Sequence, residues 1–204
     1  VLPDIGTPKS DPNYPWGWSQ AGNTPLKWYK STTHAGGVRD PLLVHWPDGI
    51  KNTGGVRHQF THVTDIVPTL LDVLNITPKD SYQGYPQMPI PDNSFAYTFE
   101  NPDVPADRGP QYFEMFGHRA IWADGWKAVA RHVKNDPISD EEWELYHLDE
   151  DFSECNNLAE TEPEKLRELI DLWWVEAGKN GVLPIDDRSF QLTGISKRPG
   201  GIHD

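Results

Sequence analysis

The segment Lys30-Ser31-Thr32-Thr33-His34-Ala35-Gly36-Gly37-Val38-Arg39-Asp40-Pro41 gathers a lysine, a histidine, paired glycines and an arginine in one short loop. Paired glycines let a backbone pass where a Cβ would collide. The Lys30 ammonium is a compact point charge suited to the oxygen of an anion. Pro41 fixes where an extended segment can begin. His34 is near enough in sequence to share a site with Lys30. A hydrogen-bonding role that holds the loop is preferred for it, with substrate contact as the alternative. Arg39 is expected to hold the turn through backbone or a carboxylate, with direct contact to the anion as the less favoured alternative.

The surrounding elements must position this loop. Residues 1 to about 22 read as loop, with Tyr14, Trp16 and Trp18 as aromatics that anchor it or border a substrate mouth. Leu42-Leu43-Val44-His45-Trp46 is a nearly continuous apolar run, which suits a strand buried on both faces. Thr64-Asp65-Ile66-Val67-Pro68 opens a helix capped by Thr64 or Asp65, with Ile66, Val67, Leu70, Leu71, Val73 and Leu74 as its apolar face. Strand, loop and helix in this order make half of an α/β unit. Residues 77 to about 110 read as a Pro-rich connector.

Beyond residue 110 the period changes. Gln111–Phe116, Arg119–Ala123, Trp126–His132 and Glu144–Leu148 read as strands, with turns at Gly117-His118 and Asp124-Gly125. Thr161, Pro163 and Glu164 resemble a capping box, and Leu166, Leu169, Ile170, Trp173 and Trp174 carry the helical period up to Gly178. This helix should lie across a small antiparallel sheet.

The chain has 204 residues and a net charge of -13, which argues against a nucleic-acid partner. The same charge disfavours an anionic membrane surface, and no apolar run approaches the ~20 residues of a membrane span. Nine tryptophans and 19 prolines imply loops packed by aromatics. The single cysteine, Cys155, allows no internal disulfide, and the carboxylates around it disfavour a thiolate. His58 and His62 could share a strand face with Phe60, but no third ligand accompanies them at a zinc-like spacing. The carboxylates from Asp136 to Glu144 read as a solvated charge run.

Several separated landmarks, taken together, resemble the arylsulfatases of the alkaline-phosphatase superfamily. They are Tyr14-Pro15-Trp16-Gly17-Trp18, Ala21-Gly22-Asn23-Thr24-Pro25, the Lys30 to Pro41 loop and Asp65-Ile66-Val67-Pro68-Thr69-Leu70-Leu71-Asp72. Gln111 to Gly117, Arg119-Ala120-Ile121, Gly125-Trp126-Lys127, Glu144 to Leu148, Asp151 and Asn157-Leu158-Ala159 extend the resemblance over about residues 12 to 188. It implies hydrolysis of sulfate monoesters by a formylglycine made from the Cys of a Cys-x-Pro-x-Arg motif, assisted by Ca²⁺ on carboxylates and an Asn. It makes Lys30 a sulfate-contacting catalytic residue, with His34 and His118 as candidate substrate contacts.

This chain has no Cys-x-Pro-x-Arg, no Asp-Asn-Gly and no Asp-Asp pair before Lys30. Asp186-Asp187 lies beyond the last helix, the wrong place for the metal. The expectation is therefore the C-terminal part of an arylsulfatase, without a metal site and inactive alone, whose partner is a missing N-terminal sulfatase segment. The expected fold is α/β, with the end of a large mixed-sheet domain over 1–100, a small sheet-plus-helix subdomain over 101–180 and an extended tail over 181–204. An uncovered sheet edge would invite self-association. Two rivals stay open: a phosphate or phosphonate ester hydrolase of the same superfamily, and a non-catalytic Trp-rich binding module. The physiological sulfate ester and the compartment, bacterial cytoplasm or periplasm, are left open.

Overall fold

The computed structural model describes residues 4, 6–10, 14–51, 54–90, 93–139 and 142–188. The fold is mixed α/β, with antiparallel sheets and a C-terminal helix. The chain divides into two compact units, one of residues 1–40 with 110–204 and the other of 41–109. This grouping differs from the three consecutive blocks expected from sequence, because residues 27–35 bond to the C-terminal sheet and to Glu154 beyond it, far away in the chain.

The first unit is built on a four-stranded meander, β3 (Gln111–Met115), β4 (His118–Ala123), β5 (Trp126–Ala130) and β6 (Trp143–His147), paired in sequence order. Both tight connections have two residues at positive φ, Phe116-Gly117 and Asp124-Gly125, as two-residue hairpin turns of the twisted kind require. Alternation divides the strands between two faces. Ile121, Ala128, Ala130, Trp143 and Leu145 point to helix α4 (Pro163–Lys179), which buries Leu169, Ile170, Trp173 and Ala177 against them. Trp173 is fully buried, and its indole N–H donates to the Phe113 carbonyl at 3.1 Å. On the other face lie Ala120, Val129 and Tyr146.

Helix α4 begins and ends differently from its sequence reading. Thr161 does not cap it: its hydroxyl donates to the Leu158 carbonyl, Glu162 takes the cap position without a side-chain bond, and Pro163 is the first helical residue. Gly178 lies inside the helix. The chain turns at Gly181 (φ 69°), where the Val182 N–H returns to the Ala177 carbonyl at 3.0 Å. The expected leading loop contains a helix, α1 (Trp16–Asn23), entered from Pro15. Trp16 and Trp18 on it are exposed, so they do not pin the segment to a core. Of the expected tail, 189–204 lie outside the described residues.

In the second unit the expected strand over Leu42–Trp46 is absent. The segment is extended without ladder partners, and Leu42, Leu43, Val44 and Trp46 are exposed. A strand exists only where a neighbouring strand takes its backbone groups; among the described residues this segment has no ladder partner, and the Trp46 carbonyl accepts from the following turn, at Gly49 and Ile50. The 58–63 stretch is not a strand either. His62 caps a 3₁₀ turn at Val63–Asp65, which runs into α3 (Ile66–Val73). Asp65 holds the N-cap position of α3, as expected, but makes no side-chain bond into that helix; the side-chain cap belongs to His62, on the 3₁₀ turn ahead of it. The buried Asp65 carboxylate accepts from the His62 N–H at 2.7 Å and from both sides of the Arg108 guanidinium at 2.7 and 3.0 Å. The connector contains a short hairpin, β1 (Ser81–Tyr82) with β2 (Tyr85–Pro86). No helix among the described residues is long and apolar enough to cross a membrane.

Candidate functional site

The paired glycines make their close approach to the lysine-bearing turn itself. A Cβ on Gly36 would meet the carbonyl oxygens of Trp28 and Lys27, and one on Gly37 those of Thr32 and Tyr29. Residues 27–32 therefore fold back on helix α2 (Ala35–Val38), and the Gly36 N–H donates to the Lys27 carbonyl at 2.8 Å. Asn23 Nδ2 clamps both arms, donating to the carbonyls of Trp28 at 3.1 Å and Gly36 at 2.7 Å. Trp28 (φ 63°) and Ser31 (φ 74°) adopt left-handed backbone on either side of Lys30. That conformation costs a side-chain-bearing residue about 1–2 kcal/mol and persists here because the clamp dictates it.

This turn is seated on the sheet face opposite α4. The buried Thr33 hydroxyl donates to the Arg119 carbonyl at 3.0 Å. The Ala35 N–H donates at 2.9 Å to Glu154, whose other oxygen accepts from Lys127 at 2.6 Å. The Lys127 and Glu154 side chains are 3 % and 0 % exposed. Burial lowers the Lys127 pKa, opposed by the attraction of Glu154. Removing either partner would strand a buried charge, at a cost of roughly 3–5 kcal/mol.

Glu144 on β6 is the third anchor. Its Oε2 accepts from Lys27 Nζ at 3.0 Å, from His34 Nε2 at 2.9 Å and from the Tyr146 hydroxyl, which itself accepts from Lys27 at 2.7 Å. Burial acts to raise the Glu144 pKa, but the bonds from His34, Tyr146 and Lys27 outweigh it and hold the group at about 2. Burial and the adjacent Glu144 carboxylate push the Tyr146 phenol well above its usual range. An ionised Glu144 can only accept, so His34 donates through Nε2.

Lys30 is exposed at the tip of the turn and makes no hydrogen bond or ion pair with a described residue. His34 is 1 % exposed and turned to Glu144, the loop-holding role preferred for it. His118 lies at the start of β4 rather than in the preceding turn, half-buried, with its Nδ1 accepting from the His132 N–H at 3.0 Å. Burial and the charges of Arg131, His132 and His34 lower its pKa to about 4. Arg39 holds no carboxylate among the described residues; its guanidinium lies 5.5 Å from the Phe152 ring centre. Cys155 is exposed. Asp187 accepts from His132 and from the Asn135 N–H, while Asp186 pairs with Arg188.

Glu144 is the residue that sequence reasoning missed, because it closes a run of carboxylates that reads as solvated. The available signal was its place in the alternation of β6, two residues before Tyr146 and on the same face.

Residues 26–172 match the family model described as N-sulphoglucosamine sulphohydrolase, C-terminal. The chain belongs to the sulfatase family. This sulfatase chain is 33 % identical over 173 residues to an uncharacterized sulfatase of Schizosaccharomyces pombe, covering 83 % of this chain and 30 % of that protein. It is 28 % identical over 206 residues to arylsulfatase A of Homo sapiens, covering 87 % and 40 %. It therefore spans well under half the length of these relatives.

Two solved structures share the fold. One is BT33336S-sulf of Bacteroides thetaiotaomicron, from work on the metabolism of multiple glycosaminoglycans, with TM-score 0.55 and 24 % identity over 74 % of this chain and 31 % of that one. The other is Ps i-CgsB, with TM-score 0.56 and 22 % identity over 85 % and 38 %.

Sulfatases generally use a formylglycine and a divalent metal. Among the described residues no three His, Cys, Asp or Glu side chains gather to hold an ion. Cys155 is followed by Asn156-Asn157 rather than the formylglycine motif. The described residues fit neither group; what they offer is an exposed ammonium on a fixed turn.

Proposed function

We propose that this chain is the part of a sulfate monoester hydrolase that supplies Lys30 to the sulfate group. The nucleophile and the Ca²⁺ site would come from the segment that precedes it in the full-length enzyme, and the chain alone would be inactive. The observation that carries this reading is the contrast at the loop. Lys27 and His34 are consumed by Glu144, whereas Lys30 stands exposed between them on backbone fixed by Asn23, the two glycines and the sheet. A preorganised charge of this kind stabilises negative charge that grows on an ester's oxygens, because it needs no reordering as the reaction proceeds. His34 acts as a positioning residue through Glu144. His118 is the candidate hydrogen-bond donor to the substrate.

The test is Lys30→Ala in the full-length enzyme, assayed with p-nitrophenyl sulfate. Loss of one preorganised donor should lower kcat by about 10²–10³, and Lys30→Arg should recover part of it. An unchanged kcat in Lys30→Ala would overturn the assignment. The isolated 204-residue chain should show no turnover above background. Measurable turnover would mean that the chemistry lies within it.

A further inference from the structure

Beside the Lys30 turn stands a second cation, to which the proposed sulfate contact gives no role. Arg131 comes directly after β5, and its guanidinium sits 4.1 Å from the centre of the Trp28 ring. It is exposed and makes no ion pair with a described carboxylate, in a chain of net charge -13. Trp28 is two residues from Lys30. Trp28 has left-handed backbone, and its ring lies 6.3 Å, centre to centre, from that of His34 as well as against Arg131. A planar guanidinium stacked on an indole keeps its N–H edge free while its orientation is fixed.

The sheet register puts His118 next to it. Arg119 pairs with Ala130, so His118 and Arg131 are the next residues across the same two strands and share a face. His118 Nδ1 accepts the His132 N–H, so the neutral ring carries its proton on Nε2. That N–H has no hydrogen-bond partner among the described residues. A fixed guanidinium fork and a neutral N–H donor therefore lie side by side, next to the turn that carries the lysine.

We infer that Arg131 and His118 form a second anion subsite, one that receives an acidic group, a carboxylate or another sulfate, carried by the substrate apart from the ester being cleaved. The pairing of donors suits two anionic oxygens, which a guanidinium binds in bidentate fashion. The subsite selects substrates with two acidic groups over those with one. This inference rests on Lys30 being the sulfate contact.

The experiment compares kcat/KM of the full-length enzyme for p-nitrophenyl sulfate with that for meta- and para-carboxyphenyl sulfate and for the corresponding benzene disulfate esters. In the native enzyme at least one diacidic ester should be preferred. Arg131→Ala should lower the ratio of diacidic to nitrophenyl kcat/KM about tenfold, mainly through KM, as expected for loss of a charged hydrogen bond. Arg131→Lys should retain part of the ratio, and His118→Gln, which keeps a donor, more than His118→Ala. The carboxylate and disulfate arms show which acidic group is read. If Arg131→Ala lowers both substrates equally, Arg131 merely braces Trp28 and the inference falls. An unchanged ratio overturns it as well. Lys30→Ala in the same assay is the separate check: if it leaves p-nitrophenyl sulfate turnover intact, the reading of Lys30 fails, whatever the Arg131 ratio does.

Discussion

Helices α3 and α4 carry the same kind of apolar periodicity and meet opposite surroundings. In α4 the stripe closes on the four-stranded sheet, and Leu169, Trp173 and Ala177 have no exposure at all. In α3 only Pro68 and Thr69 are buried, while Val67 and Leu70 are half exposed and Leu74, just past its end, more so. In the same unit Leu42, Leu43 and Val44 are about half exposed or more. Periodicity states that a face prefers to be dry; it does not supply the cover. The sheet that covers α4 is made of consecutive hairpins, which form from local turns. A cover for α3 would have to come from elsewhere than the described residues. The Lys30 loop belongs with the satisfied unit, where charged and polar anchors can act at low exposure.

The largest test of this contrast is Trp173→Ala. It removes a fully buried indole and its bond to Phe113, and should cost about 3–5 kcal/mol in urea denaturation of the chain. A loss below about 1 kcal/mol would mean that the α4 interface is not the core of its unit.

Glu144→Gln tests the polar side of the same sheet. The folded-state pKa of Glu144, about 2, lies below its ordinary 4.5. Its contribution is therefore present above about 4.5 and is lost as pH falls toward about 2. Stability measured against pH should fall less steeply in Glu144→Gln than in the native chain across that window. Identical slopes would remove Glu144 as the anion that orders the loop.

The smallest effect belongs to α3. Leu70→Ser should change the stability of the isolated chain by no more than about 0.5 kcal/mol, since Leu70 is already 53 % exposed. A loss like that of Trp173→Ala would show the two helices to be equally buried.

Much of the first unit is legible in the amino-acid sequence. The strands from Gln111 to His147 differ from their expected limits only near their ends, because alternation and the Asp124-Gly125 turn act between neighbours. The exact start of α4 was not legible. Pro163 and a competing bond from Thr161 to Leu158 moved the cap position on by one residue, to Glu162, and left no capping box. In the site, Lys30 and the glycine pair stand out by type and spacing, but Glu144 does not. Its meaning depends on Lys27 and His34, more than a hundred residues away in the chain.

By itself the sequence determined that a Gly-Gly loop would make a close backbone approach beside a lysine, and that a four-stranded meander would take a helix on one face. These are consequences of glycine's missing Cβ, of turn chemistry and of residue period, all of which operate over a few positions. Tertiary structure alone decided which cation stays free. Lys27 and Lys30 are three residues apart and chemically identical, yet Lys27 is spent on Glu144 and Tyr146 while Lys30 is exposed. The reason is that a carboxylate on β6 lies under one of them and not the other.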